Sequence, residues 1–343
     1  MKKSNLDASK TSSYDFSLPE NLIALYPVSP ADSAKLLIYD RKTNSIKHEI
    51  FRNIGDYLDD RTIILNNTKV IKARIFGHKQ TGAKIELLLN KPLNHNRFLC
   101  FIRGRVKVDD VLIFDGVSAK IVKLNDDGSR VVEFFDNSDT ILDFDSLLNI
   151  LDKIGHIPLP PYISREDNEQ DEVDYQTLFA QKEGSVAAPT ASLHFTPELL
   201  ESLDKKFGTS FITLHVGAGT FKPVESENIH EHTMHSEYYH IDDDTISIIN
   251  SDKKILAVGT TVTRTIEYYY RTKQQNGECD LFLNPNNPPL RVNSILTNFH
   301  LPKSTLIMLV ASFVGLEKTL ELYQEAIKNN YRFYSYGDAM LIL

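Results

Sequence analysis

Short apolar stretches, separated by turn residues, recur between residues 70 and 135. Each stretch has four or five residues, and Gly77, Gly82, Gly116 and Gly128 fall between them. Short strands with turn signals at this spacing are typical of a small antiparallel barrel or sandwich. The predicted strands are residues 73–76, 85–89, 98–102, 111–114, 119–122 and 131–135.

Longer alternations of strand and helix follow after residue 155. Thr196, with Pro197 at the next position, predicts a helix that continues to residue 206. Residues 211–216 and 255–258 predict buried strands, and residues 262–270 predict a helix after the second one. With the strand-like residues 36–39 and 62–65, this alternation indicates an α/β fold. We therefore predict a discontinuous, mixed α/β main domain at residues 1–67 and 151–343, with an antiparallel β-barrel domain inserted at 68–150.

The longest apolar run, residues 306–316, is about half the ~20 residues that a membrane span needs. It predicts a buried helix or strand, and we expect no membrane association. Residues 1–13 are polar and contain no apolar core of a signal peptide. The two cysteines, Cys100 and Cys279, do not form a CxxC pair. These features favour a reducing cytoplasm.

Charge is distributed unevenly over the 343 residues, whose formal net charge is −8. Ten basic residues and one acid, Glu86, lie between Asn66 and Lys107, which gives this segment a charge of +9. The segment is either a phosphate-binding face or a solvated surface whose cations pair with acids from elsewhere. The candidate phosphate contacts are Lys69, Lys72, Arg74 and Arg103.

Four loop segments carry groups suited to chemistry. Small residues at 186–193 precede His194, and two glycines in 215–221 directly follow a predicted strand, where α/β proteins bind ligands. Polar residues 297–300 precede the apolar run. Residues 230–237 (HEHTMHSE) admit a metal site, but they lack the i, i+4 histidine pairing of a zinc helix. The alternative is a polar loop whose imidazoles contact substrate and move protons.

Motifs along nearly the whole chain resemble one family, the S-adenosylmethionine:tRNA ribosyltransferase-isomerases of queuosine biosynthesis. The first half matches at residues 14–16 (YDF), 66–70 (NNTKV) and 155–162 (GHIPLPPY). The second half matches at 187–191 (AAPTA), 193–195 (LHF), 215–221 (HVGAGTF), 232–237 (HTMHSE), 258–261 (VGTT) with Arg264, 297–302 (TNFHLP) and 335–340 (SYGDAM).

The resemblance implies a reaction, a fold and a set of partners. The ribosyl part of S-adenosylmethionine moves onto 7-aminomethyl-7-deazaguanine (preQ1) at the tRNA wobble position. The product is epoxyqueuosine-tRNA, with adenine and methionine released. The family fold is an α/β domain with an inserted β-barrel. S-adenosylmethionine is a co-substrate, no permanently bound cofactor or metal is expected, and we expect a monomer.

The implied chemistry needs several proton transfers. The sulfonium acidifies the ribose C5′ hydrogens, adenine leaves more easily when protonated, and the amine of preQ1 must lose a proton to attack. The residues expected to share these transfers are His194, His215, His235, Glu237 and His300. The residues expected to contact S-adenosylmethionine are Thr190, Gly217, Gly219, Thr220, Thr260, Arg264 and Asn298, with Arg264 or Asn298 orienting the methionine or ribose. Possible stacking platforms for a nucleotide are Tyr14, Phe16, Phe195, Phe221 and Tyr336.

Two segments depart from the family pattern. Ser192 stands where the family usually has glycine, and residues 284–289 (NPNNPP) replace the usual Tyr-Pro-Gly type of stretch. Two other functions would fit parts of the chain: a metal-dependent hydrolase built on residues 230–237, and an RNA-binding module without catalysis built on the basic segment. An ordinary methyltransferase is disfavoured because no glycine-rich GxGxG loop follows an early strand.

Overall fold

A computed structural model describes residues 6–221 and 224–343, without the side chains of Thr220 and Phe221. The strands are β1 Lys35–Asp40, β2 Ser45–Ile50, β3 Thr62–Asn66, β4 Thr68–Val70, β5 Arg74–Lys79, β6 Lys84–Leu93, β7 Arg97–Arg103, β8 Val111–Phe114, β9 Val117–Leu124, β10 Ser129–Phe135, β11 Lys182–Ser185, β12 Thr209–Leu214, β13 Glu237–Ile241, β14 Ile255–Val258, β15 Asn276–Cys279, β16 Ser294–Asn298 and β17 Ala339–Ile342.

The helices lie mostly in the second half of the chain. The α-helices are α1 Phe144–Ile154, α2 Asp171–Asp174, α3 Pro197–Phe207, α4 Asp243–Asn250, α5 Thr260–Thr272, α6 Thr305–Val314 and α7 Leu316–Lys328. The 3-10 helices are Thr11–Tyr14, Glu20–Leu22, Ala31–Ser33, Phe51–Asp56, Thr190–Ser192, Ala218–Phe221 and Ile229–Glu231.

Nine strands form the main sheet, in the order β15-β13-β12-β3-β14-β16-β17-β1-β2. The four central strands β12, β3, β14 and β16 are parallel to one another, whereas β17 runs antiparallel to β16. The carboxyl ends of the four parallel strands therefore meet at one edge, together with the segment that leads into β17. Ligands bind at this edge in open α/β sheets.

Both faces of the main sheet are covered, so the central strand β14 is apolar throughout. In β14, Ile255 and Ala257 join one hydrophobic cluster, while Leu256 and Val258 join the cluster on the other face. This explains why residues 255–258 are continuously apolar. The strand predicted at 211–216 lies at 209–214, so His215 falls in the loop after β12.

The basic, turn-rich segment folds into a closed barrel with the strand order β10-β7-β6-β5-β8-β9. Alternate residues of β6, Ile85, Leu87 and Leu89, point into the barrel's own core. The prediction of a mixed α/β fold with an antiparallel barrel is confirmed. The boundaries at 67/68 and 150/151 stay a prediction; β4 pairs with β11 outside the barrel, and α1 packs on the barrel core.

Local capping signals specify where two helices begin. The hydroxyl of Thr196 accepts a hydrogen bond from the Leu199 N–H, as predicted for the start of α3. Most of the apolar run at 306–316 lies in the buried helix α6, at whose start the Ser304 hydroxyl accepts the Ile307 N–H. In the described ranges, no helix is long and apolar enough to cross a membrane.

Candidate active site

A cleft lies at the carboxyl ends of β14 and β16, and we call it the sheet-edge cleft. It encloses about 650 Å³, open space at its mouth included. Two of its loops, at residues 258–261 and 297–302, meet there because β14 and β16 end side by side. The lining residues are Tyr162, Tyr175, Ala187–Ala191, Val216, Gly259–Thr261, Thr297–Leu301, Leu306, Tyr334 and Ser335.

A chain of hydrogen bonds crosses the floor of the sheet-edge cleft. The Thr190 hydroxyl donates to Asn298 Oδ1 over 2.9 Å, and Asn298 Nδ2 lies 3.3 Å from His194 Nε2. Burial lowers the pKa of His194 to about 3, with a smaller contribution from Arg332. The imidazole is therefore neutral near pH 7, so Nε2 can accept the amide proton.

His300 lines the same cleft and is also neutral. Its Nε2 lies 2.8 Å from the Thr297 hydroxyl, and its backbone N–H donates to the hydroxyl of Tyr323. Burial lowers the pKa of His300 to about 3. The structure thus brings Thr190, Thr260, Asn298 and His300 into one cleft, with His194 directly behind Asn298.

A second cleft, the barrel–sheet cleft, lies where β6 approaches the loop after β12. It encloses about 760 Å³, open space included. From the barrel side it is lined by Asn90, Lys91, Pro92 and the nearby Phe144. Strand β11, which pairs with β4, contributes Gly184, and the main sheet and its loops contribute His215, Gly217, Ser236, Glu237, Tyr238 and Glu278.

His215 is fixed in the barrel–sheet cleft by a hydrogen bond and a ring contact. Its Nδ1 lies 2.8 Å from the Thr68 hydroxyl, and its ring is nearly parallel to that of Tyr238, at 6.0 Å and 17°. Burial lowers the pKa of His215 to about 4. Since Nδ1 is occupied by Thr68, Nε2 is the nitrogen available to a substrate.

A third cleft, the Arg264 cleft, contains a buried ion pair and is lined by Gly219, His232, Met234, His235, Glu237, Arg264, Thr305 and Leu306. Arg264 Nη1 lies 2.5 Å from Glu237 Oε2, and both side chains are 5% exposed. Burial is the largest influence and opposes the charge of Arg264, but Glu237, Cys279 and Asp280 together outweigh it, so the pKa of Arg264 is raised. The guanidinium also donates to the carbonyl groups of Leu281 and Cys279.

Glu237 connects the clefts, since it lines both the Arg264 cleft and the barrel–sheet cleft. Its Oε1 accepts the Gly217 N–H over 3.0 Å. Leu306 likewise belongs to both the Arg264 cleft and the sheet-edge cleft. The three clefts therefore lie side by side around the carboxyl edge of the sheet.

His235 lies in the Arg264 cleft against Gly219. A Cβ at position 219 would lie 2.6 Å from His235 Cδ2, so only glycine allows this approach. The backbone of Thr220 belongs to the 3-10 helix Ala218–Phe221, but the predicted contacts of the Thr220 side chain lie outside the described residues.

Comparison with known proteins places this geometry in a family. The sequence model of the family described as "Queuosine biosynthesis protein" matches residues 11–342. The chain belongs to this family. Proteins named S-adenosylmethionine:tRNA ribosyltransferase-isomerase from Aliarcobacter butzleri and Nitratiruptor sp. are each 64% identical over 340 residues, which cover 98% of this chain and 100% of each relative.

A solved structure supports the same assignment. The crystal structure of S-adenosylmethionine tRNA ribosyltransferase from Thermotoga maritima is 36% identical, with a TM-score of 0.54. The match covers 96% of this chain and 100% of that chain. The prediction of membership in the queuosine biosynthesis family is thus confirmed over nearly the full length.

The candidate RNA contacts of this family member are mostly paired with acids. Lys69 Nζ lies 2.7 Å from Glu183, Lys72 Nζ lies 2.6 Å from Glu172, and Arg74 Nε lies 2.8 Å from Glu86. Arg103 is 3.8 Å from Glu86, but its side chain is 86% exposed. Lys84, Arg105 and Lys107 have no acid within 4 Å in the described part of the chain.

The suggested stacking platforms are wrong for three residues. Tyr14, Phe195 and Tyr336 are buried in the core, and Phe16 is half-buried against it. The side chain of Phe221 lies outside the described residues. Sequence reasoning missed Phe76, which is 50% exposed on the barrel. Its alternation with the inward-facing Ile75 would have indicated an outward aromatic.

Asn90 is a second residue that the sequence did not single out. Its Oδ1 accepts the Ala218 N–H over 2.8 Å, which joins the barrel to the glycine loop after β12. Asn90 lies outside the motifs of the family. Its contact with Ala218 depends on how the barrel meets the main sheet, so the sequence pattern does not indicate it.

The two departures from the family pattern have little effect on the clefts. Ser192 lies in the 3-10 helix Thr190–Ser192 with no positive φ, so no glycine conformation is needed there. Residues 284–289 line none of the three clefts. Among the described residues, no group of three or more His, Cys, Asp and Glu could hold a metal ion.

Proposed function

We propose that this chain transfers and isomerises the ribosyl group of S-adenosylmethionine onto preQ1 at the wobble position of tRNA. The products are epoxyqueuosine-tRNA, adenine and methionine. The observation that carries the proposal is the convergence of separated family motifs on the carboxyl edge of one sheet. The full-length relatives named for a reaction of S-adenosylmethionine with tRNA support it.

The sheet-edge cleft is the proposed site for S-adenosylmethionine. Tyr162, Phe299 and Tyr334 give it an aromatic wall suited to an adenine ring, and the small residues Ala187 and Ala188 allow close approach. Thr190 and Asn298 offer a hydroxyl and an amide to the ribose.

The barrel–sheet cleft is the proposed site for the modified base. A wobble nucleotide must leave its stack to reach an enclosed site, and Tyr238, 44% exposed, offers a ring face beside His215. The neutral Nε2 of His215 would accept a proton from the amine of preQ1 or from ribose C5′. The clefts adjoin at Glu237 and Leu306, which would bring the two bound substrates close to each other.

The reaction is tested with purified protein, S-adenosylmethionine and an anticodon stem-loop that carries preQ1. We expect adenine by chromatography and epoxyqueuosine by mass spectrometry of the digested RNA, and neither product from a stem-loop with guanine at the wobble position. Formation of S-adenosylhomocysteine without adenine would overturn the proposal.

The five proposed proton-transfer residues are tested one at a time in the same assay. The variants are His194→Ala, His215→Ala, His235→Ala, Glu237→Ala and His300→Ala. We expect adenine release to fall by ~10²-fold or more for those that transfer protons. Unchanged turnover in all five variants would show that the proton transfers occur elsewhere.

We further propose that tRNA docks on the outer face of β5, β6 and β7. Phe76 is the exposed centre of this face, with the Arg74 guanidinium 5.1 Å from its ring centroid and the His156 ring 5.1 Å away. Arg103 lies across Glu86 from Phe76 in the strand register. An aromatic ring flanked by cations suits stacked bases and phosphates of a loop.

The same face leads toward the barrel–sheet cleft. Glu86, Leu88 and Asn90 alternate with the inward-facing residues of β6, and Asn90 reaches the glycine loop. At about 3.3 Å per residue, Phe76, which pairs with Glu86, lies roughly 13 Å along the strand from Asn90. An anticodon arm on this face could place one nucleotide in the cleft.

Stem-loop binding tests the docking face. We expect Phe76→Ala and Arg103→Glu to weaken binding by about tenfold, and Arg103→Glu to flatten its salt dependence. Lys120→Glu is the matched control, because Lys120 lies on β9 on another side of the barrel. Charge reversal of Lys69, Lys72 and Arg74 together tests the sequence-based patch. Equal binding by wild type and both face variants would overturn this docking mode.

A further inference from the structure

The first turn of α5 opens into the sheet-edge cleft. This 13-residue helix follows β14 through Gly259, which has a φ of 96° and supplies no capping side chain. The first turn contains no acidic residue. Its leading N–H groups therefore carry the partial positive charge of an uncapped helix N-terminus and can bind an anion.

Thr261 adds a hydroxyl group to this helix end. Thr261 is 8% exposed, and its Oγ1 has no hydrogen-bond partner among the described residues. The hydroxyl leans back over the helix N-terminus, since Oγ1 would lie 3.7 Å from a Cβ at Gly259. A buried hydroxyl without a partner is costly unless a ligand satisfies it.

The rest of the sheet-edge cleft offers no charged partner to an anion. Its described lining contains no Asp, Glu, Lys or Arg, and His300 is neutral. Arg264, a candidate ligand for the methionine part, is buried against Glu237 and two carbonyl groups. A carboxylate bound in this cleft would therefore depend on the helix end and its hydroxyls.

We propose that the N-terminus of α5, at Gly259, Thr260 and Thr261, binds the carboxylate of the methionine part of S-adenosylmethionine. The first-turn N–H groups and the two threonine hydroxyls donate hydrogen bonds to it. This inference rests on the proposed function. With the carboxylate bound at this helix end, the adenosyl group would lie toward the aromatic residues Tyr162 and Tyr334, which line the same cleft.

The test compares two ligands on the full-length protein by isothermal titration calorimetry. One is S-adenosylmethionine, and the other is its decarboxylated form, which keeps the sulfonium and the adenosyl group. We expect wild type to bind S-adenosylmethionine about tenfold more tightly. Thr261→Val should remove most of this preference and leave affinity for the decarboxylated ligand unchanged. Thr272→Val, at the other end of the same helix, should keep the preference.

Equal affinities of wild type for the two ligands would overturn the subsite, and this outcome needs no variant to fold. Equal weakening of both ligands by Thr261→Val would also overturn it. If Thr261→Val weakens stem-loop binding and keeps the ligand preference, the bound anion is an RNA phosphate and the carboxylate assignment is wrong. Adenine release is measured in parallel: its presence keeps the proposed function when the subsite fails.

Discussion

The sheet-edge cleft and the barrel–sheet cleft differ in how they are built. Loops that follow parallel strands form most of the first, and its described lining contains no charged side chain. The second lies between two folding units and contains Lys91, Glu237 and Glu278. We infer that the first cleft keeps its shape without RNA, whereas the second depends on how the barrel meets the main sheet.

The largest effect is expected from the buried ion pair of Arg264 and Glu237, because Glu237 lines the barrel–sheet cleft. Arg264→Met leaves the carboxylate of Glu237 buried without its guanidinium partner. Breaking a buried pair in this way costs about 3–5 kcal/mol of unfolding free energy. Urea denaturation followed by circular dichroism measures it. If the single variant Arg264→Met is as stable as wild type, the charges at the barrel–sheet cleft are not buried, and this difference from the sheet-edge cleft is wrong.

The double variant Arg264→Met, Glu237→Gln is the control. It removes both charges, so we expect it to recover much of the stability that the single variant loses. It should still lose activity, because a neutral amide lacks the negative charge that the Glu237 carboxylate presents to the barrel–sheet cleft and the Arg264 cleft.

Acid sensitivity tests the neutral state of the sheet-edge cleft. The pKa of His300 is lowered from 6.5 to about 3 by burial, so the unfolded chain binds a proton more readily. The unfolding free energy that depends on a neutral His300 is fully present above about pH 6.5 and is lost as the pH falls toward 3. For one histidine this loss is about 2 kcal/mol between pH 7 and pH 5. His300→Gln should therefore lose about 2 kcal/mol less than wild type over that interval.

Denaturation at the two pH values measures the difference between wild type and His300→Gln. The same pH dependence in both proteins would mean that His300 is not buried and neutral as described.

The sequence could predict what depends on neighbouring residues. Short apolar stretches between turn residues predicted the barrel strands, and Thr196 followed by Pro197 predicted the start of α3. The family resemblance put both Thr260 and Asn298 among the expected contacts of S-adenosylmethionine, and both line one cleft because β14 and β16 end side by side. Contacts across long separations were not predictable. The Lys69–Glu183 pair spans 114 residues, and the Asn90–Ala218 hydrogen bond spans 128.

Asn90 is expected to have a smaller effect, as a positioning residue of the barrel–sheet cleft. Asn90→Ala removes the acceptor of the Ala218 N–H, which costs about 1 kcal/mol of stability. We expect kcat for adenine release to fall about fivefold to tenfold with little change in KM for S-adenosylmethionine. Asn90→Asp keeps an acceptor oxygen and should restore part of kcat. A change in KM alone would assign Asn90 to the S-adenosylmethionine site instead.

The smallest effect is expected from the ion pair Lys91–Glu278, which links the barrel to the main sheet at 2.8 Å. The two side chains are 27% and 47% exposed, so their coupling should be about 0.2–1 kcal/mol at low salt. A double-mutant cycle with Lys91→Met and Glu278→Gln measures it, and 1 M salt should remove it. The corresponding cycle with Thr190→Val and Asn298→Leu in the sheet-edge cleft joins uncharged groups, so its coupling should not change with salt. Equal salt dependence of the two cycles would contradict the contrast between a charged cleft and a neutral one.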